Sequence, residues 1–484
     1  MAKLTNLGDD ALIAFDNLVD IATNFRTPTI RLGVTGLSRA GKTVFITSLV
    51  HALVNGAKMP MFEPQASGRI SGARLEPQPS MNLPRFAYED HLALLTGERQ
   101  WPKSTSSISE LRITIAYESA SAWNRALGSG KLNIDIVDYP GEWLLDLPLL
   151  AMDYPTWSDQ ALKLSQLPNR VALSADWRKQ LASTDADALL VETEAINLAD
   201  LFTQYLHACR EDENALSTLP PGRFLMPGDM EGSPALTFCP LPARDQIVNN
   251  SLYAHMAERF EAYKTYVIKP FFRDHFARLD RQIILVDALQ AINAGPAALN
   301  DLENALAEIL GCFNPGQNNW LTSIFTRKID RILFAATKVD HLHRENHKAL
   351  ENVLRKLVDN ASKRAKFAGA SVNVVALASL RSTSEATLTQ DGELLPVIVG
   401  TPIKGEIIAG VEFDGNSETA IFPGDLPQNP SALFDTSNSE DFPELSFVRF
   451  RPPQLDTGAD NVTINLPHIR LDKALQFLLS DQLA

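Results

Sequence analysis

At 484 residues, with 45% hydrophobic and 21% charged side chains, the chain is long enough for two or three domains with ordinary globular cores. Its net charge of −14 argues against a general nucleic-acid or anionic-membrane binder. No apolar run of about 18 residues supplies a transmembrane segment, and Cys209, Cys239 and Cys312 lack zinc or redox spacing, so they read as buried thiols of a reducing compartment.

Residues 9–25 open on Asp9-Asp10 and place Leu12, Phe15, Leu18, Val19, Ala22 and Phe25 at helical spacing. An acidic amphipathic helix of this kind docks on its own domain or on a partner; targeting helices are basic. Next, Ile30, Leu32 and Val34 alternate as in a strand and lead into Gly36-Leu37-Ser38-Arg39-Ala40-Gly41-Lys42-Thr43. This matches G-x-x-x-x-G-K-[ST], and Val44, Phe45, Ile46, Leu49 and Val50 follow as a helix face. Gly36 and Gly41 let the backbone wrap a phosphate chain, so the N–H groups from Ser38 through Val44 form the expected nucleotide contact. Lys42 is placed to reach the β- and γ-phosphates and the Thr43 hydroxyl to ligate Mg²⁺.

Residues 57–85 are rich in Gly and Pro and read as one long loop, followed by a short helix near 88–95 and by Trp101-Pro102-Lys103-Ser104-Thr105. The runs 111–117 and 132–138 are strands separated by a Gly-Ser-Gly turn signal, as in antiparallel neighbours. From 144 to 280 the pattern turns helical, with helices expected over 181–206 and 251–276 and a proline-rich loop over 219–242. Strands return at 283–287, 331–336 and 372–377, alternating with helices at 296–310 and 345–367, which predicts parallel pairing. The tail has short strand-like runs at 394–399, 406–413 and 447–450, either a small β-subdomain or an addition to the sheet edge, and a closing helix at 471–479.

Two further motifs sit at strand ends. Asp138-Tyr139-Pro140-Gly141-Glu142 offers a carboxylate for the Mg²⁺ shell, and the Gly141 N–H for a γ-phosphate. Thr337-Lys338-Val339-Asp340 offers a carboxylate to the N1–H and exocyclic amine of guanine, with the Lys338 stem along the purine face. Adenine lacks that donor pair, so Asp340 selects GTP or GDP. One strand later, Ala378-Ser379-Leu380 is where a backbone N–H meets the base oxygen.

The loop LGVTGLSRAGKT, the stretch WPKST, the turn DYPGEW and the LVDAL and TKVD segments together resemble the bacterial YcjX-like family of P-loop GTPases, over nearly the whole chain. The resemblance implies an α/β fold: a Ras-like core with a mixed, mostly parallel sheet, a large helical insertion and a small β-containing C-terminal extension. The change of texture along the chain gives 1–143 and 281–382 as two parts of that core, 144–280 as a candidate inserted helical domain and 383–484 as the extension. It also implies GTP hydrolysis of low turnover, a link to stress responses and a cytoplasmic location. The expected partner is a protein effector that the sequence does not identify, a membrane protein being one option.

Position by position, Thr43, Thr105 and Asp138 fall at the metal. Lys42, Thr105, Gly141 and Glu142 fall at the reacting phosphate, and Thr337, Lys338 and Asp340 at the base. Three departures stand out: Thr337 replaces asparagine, Glu142 stands where a water-orienting glutamine is usual, and the gaps 43–105 and 138–340 are long. A carboxylate at 142 faces like charge on the phosphates. Arg39 can lie over the phosphates as a cation in cis or stay solvated, and Trp143 can pack in the core or on a partner. An ATP-dependent P-loop enzyme or kinase, and a non-hydrolysing GTP-stabilised scaffold, stay open as alternatives.

Overall fold

The computed structural model describes residues 27–37, 39–120, 130–212, 219–311, 329–367, 369–390, 393–408, 410–435, 445, 447–455 and 465–484. The helix expected over 9–25 lies outside the described residues, as do Ser38 and Cys312.

Seven strands form the central sheet: β1 Thr29–Gly36, β2 Ile70–Glu76, β3 Ser109–Tyr117, β4 Gly130–Asp138, β5 Arg281–Val286, β6 Arg331–Ala336 and β7 Ser371–Ala376. Their order is β2-β3-β4-β1-β5-β6-β7. Pairing from β4 through β1, β5 and β6 to β7 is parallel, whereas β2–β3 and β3–β4 are antiparallel. The molecule is therefore α/β with a mixed, mostly parallel sheet. Its middle strands are apolar on both sides because helices cover both faces, and β5 is buried along its whole length.

Alternation along each strand sorts the core into two layers. Ile283, Leu285, Leu333 and Ala335 face a cluster with Phe45 and Leu49 of α1, Lys42–Val54, and with Leu475 and Leu478 of the closing helix Leu471–Leu479. Ile284, Val286, Ile332 and Phe334 face the opposite way and join the apolar residues of the helical segment between β4 and β5 in one continuous cluster. That segment starts with the tight helical run Gly141–Ala151 and includes α2, Glu192–Glu211, and α3, Leu252–Tyr263. Aromatic stacking fills its centre: Trp157 lies on Phe260 at 5.0 Å and Trp177 on Tyr205 at 5.6 Å. Helix α4, Pro296–Gly311, follows β5. After β6 come α5, His347–Leu357, and α6, Asp359–Phe367. The closing helix is α7.

Several expectations need correction. The stretch 57–85 is not all loop, since β2 lies within it, paired to β3 with an irregularity between Ile70 and Gly72. As an edge strand it buries little, so Ile-Ser-Gly-Ala-Arg-Leu-Glu has no apolar alternation to reveal it. The helix expected over 181–206 is two, Ala175–Ser183 and α2, because Thr184 is extended. The helix expected over 345–367 breaks at Val358 into α5 and α6.

In the tail, β8 Ser384–Gln390, β9 Glu393–Gly400 and the short strand Thr419–Ile421 form a separate antiparallel sheet. Ile398 and Ile421 close over Val448 and Phe450 in a small core of its own. Among the described residues no helix is long and apolar enough to cross a membrane.

The closing helix bears on the main core. Leu475 and Leu478 are fully buried, and beyond them Asp481 pairs with the buried Arg281 at 2.6 Å. Leu478→Ala should cost about 2–5 kcal/mol by transfer and cavity terms, read as a lowered midpoint in urea unfolding. An unchanged midpoint would mean that α7 does not close this layer.

Candidate functional site

The C-terminal ends of the parallel strands open onto a cleft of about 250 Å³. β1 ends at Gly36, where a Cβ would stand 2.7 Å from the Leu285 carbonyl oxygen, so only glycine fits between β1 and β5. The loop then turns through two left-handed residues, Arg39 at φ 62° and Gly41 at φ 85°. Helix α1 begins at Lys42 with no side-chain cap, so its first N–H groups face the cleft. Arg39, Ala40, Gly41, Lys42, Thr43 and Val44 line this end, with Arg39 exposed at its mouth. The Lys42 ammonium donates to the Gly36 carbonyl at 3.0 Å.

Beneath the loop, three residues from distant parts of the chain meet. The Thr105 hydroxyl donates to Asp138 Oδ2 at 2.8 Å and lies 3.3 Å from the Thr43 hydroxyl. Asp138 is buried, and its Oδ1 accepts no hydrogen bond among the described residues. Burial pushes its carboxyl up to about 6, against the pull of Lys42, the Thr105 hydroxyl and the Tyr139 N–H. One carboxylate with a bare oxygen and two hydroxyls are donors for a hard cation, yet too few to hold one alone. No cluster of three or more His, Cys, Asp or Glu suited to a metal occurs among the described residues.

The turn after Asp138 is pressed onto the loop. A Cβ on Gly141 would fall 1.8 Å from the Gly36 carbonyl oxygen and 3.0 Å from Lys42 Nζ. The Tyr139 hydroxyl bonds Thr35 at 2.6 Å, and Gln282 donates to the same Thr35 oxygen at 2.7 Å, which fixes the turn against β1 and β5. Glu142 lines the cleft beside the loop and is buried. Trp143 is buried too, with the Arg223 guanidinium 3.2 Å above its ring and its indole N–H on the Met226 carbonyl, so it packs within the molecule.

At the other end, β6 delivers Thr337, Lys338 and Asp340. The Thr337 hydroxyl donates to the Val286 carbonyl at 3.4 Å, tying this loop to β5. Lys338, left-handed at φ 58°, pairs with Asp287, so its stem lies along the cleft wall. Asp340 lines the cleft, and its Oδ2 accepts from both the N–H and the hydroxyl of Ser382, at 2.8 and 2.6 Å. Ala378 spends its N–H on Ile469, so Ser379 and Leu380 are the donors left at this strand end. Burial holds the His341 imidazole below its usual range, against the raising effect of Asp340.

Ser382 and the wall that Ile403, Arg449 and Phe450 contribute from the tail carry no local motif in the sequence. Asp287 lies in the LVDAL segment and closes an apolar strand one position beyond Val286, but its pairing with Lys338 is not legible there.

A strand–glycine loop–helix unit at the end of a mostly parallel sheet, with a carboxylate under the loop and a second one across the cleft, places the chain among the α/β proteins that carry a glycine-loop cleft. The chain belongs to the YcjX-like family, DUF463, whose profile matches residues 30–483. It is 38% identical over 468 residues to the Ras-like GTPase YcjX of Escherichia coli K12, covering 94% of this chain and 96% of that protein. It is also 33% identical over 477 residues to the Ras-like GTPase YcjX of Shewanella oneidensis, covering 94% of each. At the level these relatives' names give, the chain is a GTP-binding protein.

A carboxyl raised from its ordinary 3.8 to about 6 favours the folded state when protonated, so stability is lost as pH rises through that window. Asp138→Asn removes the ionisation. Without nucleotide, the variant should gain up to about 2–3 kcal/mol over wild type between about pH 4 and pH 8. Parallel pH profiles of the melting temperature for the two proteins would contradict the assignment.

Proposed function

We propose that this chain is a Ras-like nucleotide switch that binds and slowly hydrolyses GTP with Mg²⁺, the helical segment 144–280 being an insertion between the halves of its core. The observation that carries this reading is the meeting of Thr43, Thr105 and Asp138 beneath the loop, with an oxygen of Asp138 left bare. Thr43, Thr105 and Asp138 would hold Mg²⁺, which would supply charge neutralisation there. Lys42 and the N-terminal N–H groups of α1 bind the phosphate chain, Gly141 offers its N–H to the terminal phosphate, and Glu142 orients a water toward it. Thr105, whose bond to Asp138 joins distant segments, is the residue that reports whether the third phosphate is present.

At the base end Asp340 reads guanine through Oδ1. Ser382 supports this reading in a specific way. Its two donors require an oxygen at the Oδ2 position, so an asparagine at 340 must turn its NH₂ toward the base. Guanine would then meet donor with donor, whereas xanthine presents a carbonyl there. Asp340→Asn should weaken GTP by roughly 10²–10⁴-fold, the loss of two hydrogen bonds to a charged group, and strengthen xanthosine triphosphate. Competition of a fluorescent nucleotide by GTP, XTP and ATP checks it. A wild type that prefers ATP, or a variant that keeps its GTP preference, removes Asp340 from base recognition.

A further inference from the structure

We propose that Arg210 is a positioning residue for hydrolysis: from α2 it supplies the counter-charge that lets Glu142 work beside the phosphates. This rests on the hydrolytic reading above. Glu142 stands in the cleft with only 3% of its side chain exposed. A buried carboxylate next to a triphosphate is opposed twice, by lost hydration and by like charge. Arg210 answers both. Its guanidinium lies 3.0 Å from Glu142 Oε1. That oxygen is buried and accepts no aligned hydrogen bond among the described residues, so the ion pair supplies charge to the carboxylate without fixing it in a directed bond. Arg210 does not itself line the cleft, which places its action on Glu142 and not on the phosphates.

The surrounding contacts hold this pair in register. Arg210 also reaches Met226 Sδ at 3.3 Å, and the Met226 carbonyl accepts the Trp143 indole N–H at 2.8 Å. A Cβ on Gly222 would stand 1.8 Å from the Glu142 carbonyl oxygen, so the backbones of 142 and 222 touch. Asp146 accepts from the Gly222 N–H and the Tyr263 hydroxyl, each at 2.7 Å. The segment 142–146 is thus gripped by the helical segment.

The test is single-turnover phosphate release from GTP, with fluorescent GDP affinity and melting temperature measured on the same full-length proteins. Arg210→Gln should slow release by about 10- to 100-fold through misplacement of Glu142 while GDP affinity stays within about twofold. Arg210→Lys, which keeps the charge, should retain most of the rate. In a Glu142→Gln background, where no charge needs neutralising, Arg210→Gln should cost nothing further. Equal cost of Arg210→Gln in both backgrounds, or no cost in the wild type, overturns the proposal. Should Arg210→Gln unfold, a Glu142→Gln/Arg210→Gln protein slower than Glu142→Gln alone does the same. Wild type that binds GTP yet releases no phosphate overturns the hydrolytic reading and this role together. Release by wild type that Arg210→Gln leaves unchanged removes Arg210 alone.

Discussion

A single buried carboxylate sets the terms for this molecule. Asp138 sits at the end of a central strand, out of water, with one oxygen bonded to Thr105 and the other bare. Such a charge is expensive unless a cation meets it. The fold answers by bringing Lys42 near and by stacking the hydroxyls of Thr43 and Thr105 alongside. Each of these groups depends on the parallel register. β4 pairs with β1 so that Val34 stands opposite Asp138, and the loop following β1 therefore passes over the carboxylate. The contact of Gly141 with the Gly36 carbonyl then brings the second turn against the loop. A side chain at either glycine would separate the two loops that the chemistry requires together.

Two outlying parts of the chain reach into the same cleft. The helical segment holds residues 142–146 through Arg210, Gly222, Arg223 and Tyr263. The tail closes the opposite wall and is tied to the loop that carries Thr105. The Trp101 indole donates to the Phe450 carbonyl at 2.6 Å, and Arg99 donates to the Pro452 carbonyl at 3.0 Å. Both loops flanking the phosphate end are thus braced by segments outside the sheet. A displacement of either loop would press on those segments, because packed contacts of this kind shift together.

How much of this the sequence discloses follows from which constraints are local. A strand–glycine loop–helix repeats its pattern within some twenty residues, so 29–54 reads directly, as do the ends of β4 and β6. The motifs around Asp138 and Asp340 are legible because the polar residue interrupts an apolar strand at a fixed place. Edge strand β2 is hidden, since a half-exposed ribbon has no alternation to detect. Ser382 and Arg210 are hidden for a different reason. Each matters only through a partner 42 or 68 residues away, Asp340 or Glu142, and no local period encodes that meeting. The tail's wall is farther still: Trp101 and Phe450 are 349 residues apart. What local pattern reveals is the scaffold and the candidate positions at strand ends, while the side chains that contact those positions come from tertiary packing.

In a switch of the proposed kind, Thr105 and the Gly141 turn are held more tightly when a third phosphate is bound than with GDP. Hydrogen exchange of the backbone measures this directly, comparing the full-length protein with Mg²⁺ and GDP against Mg²⁺ and a non-hydrolysable GTP analogue. The account predicts slower exchange over 101–106 and 139–146 with the analogue, and little change in β5, β6 and α1. Equal exchange at both segments in the two states would contradict it, leaving a nucleotide-binding protein without a switch.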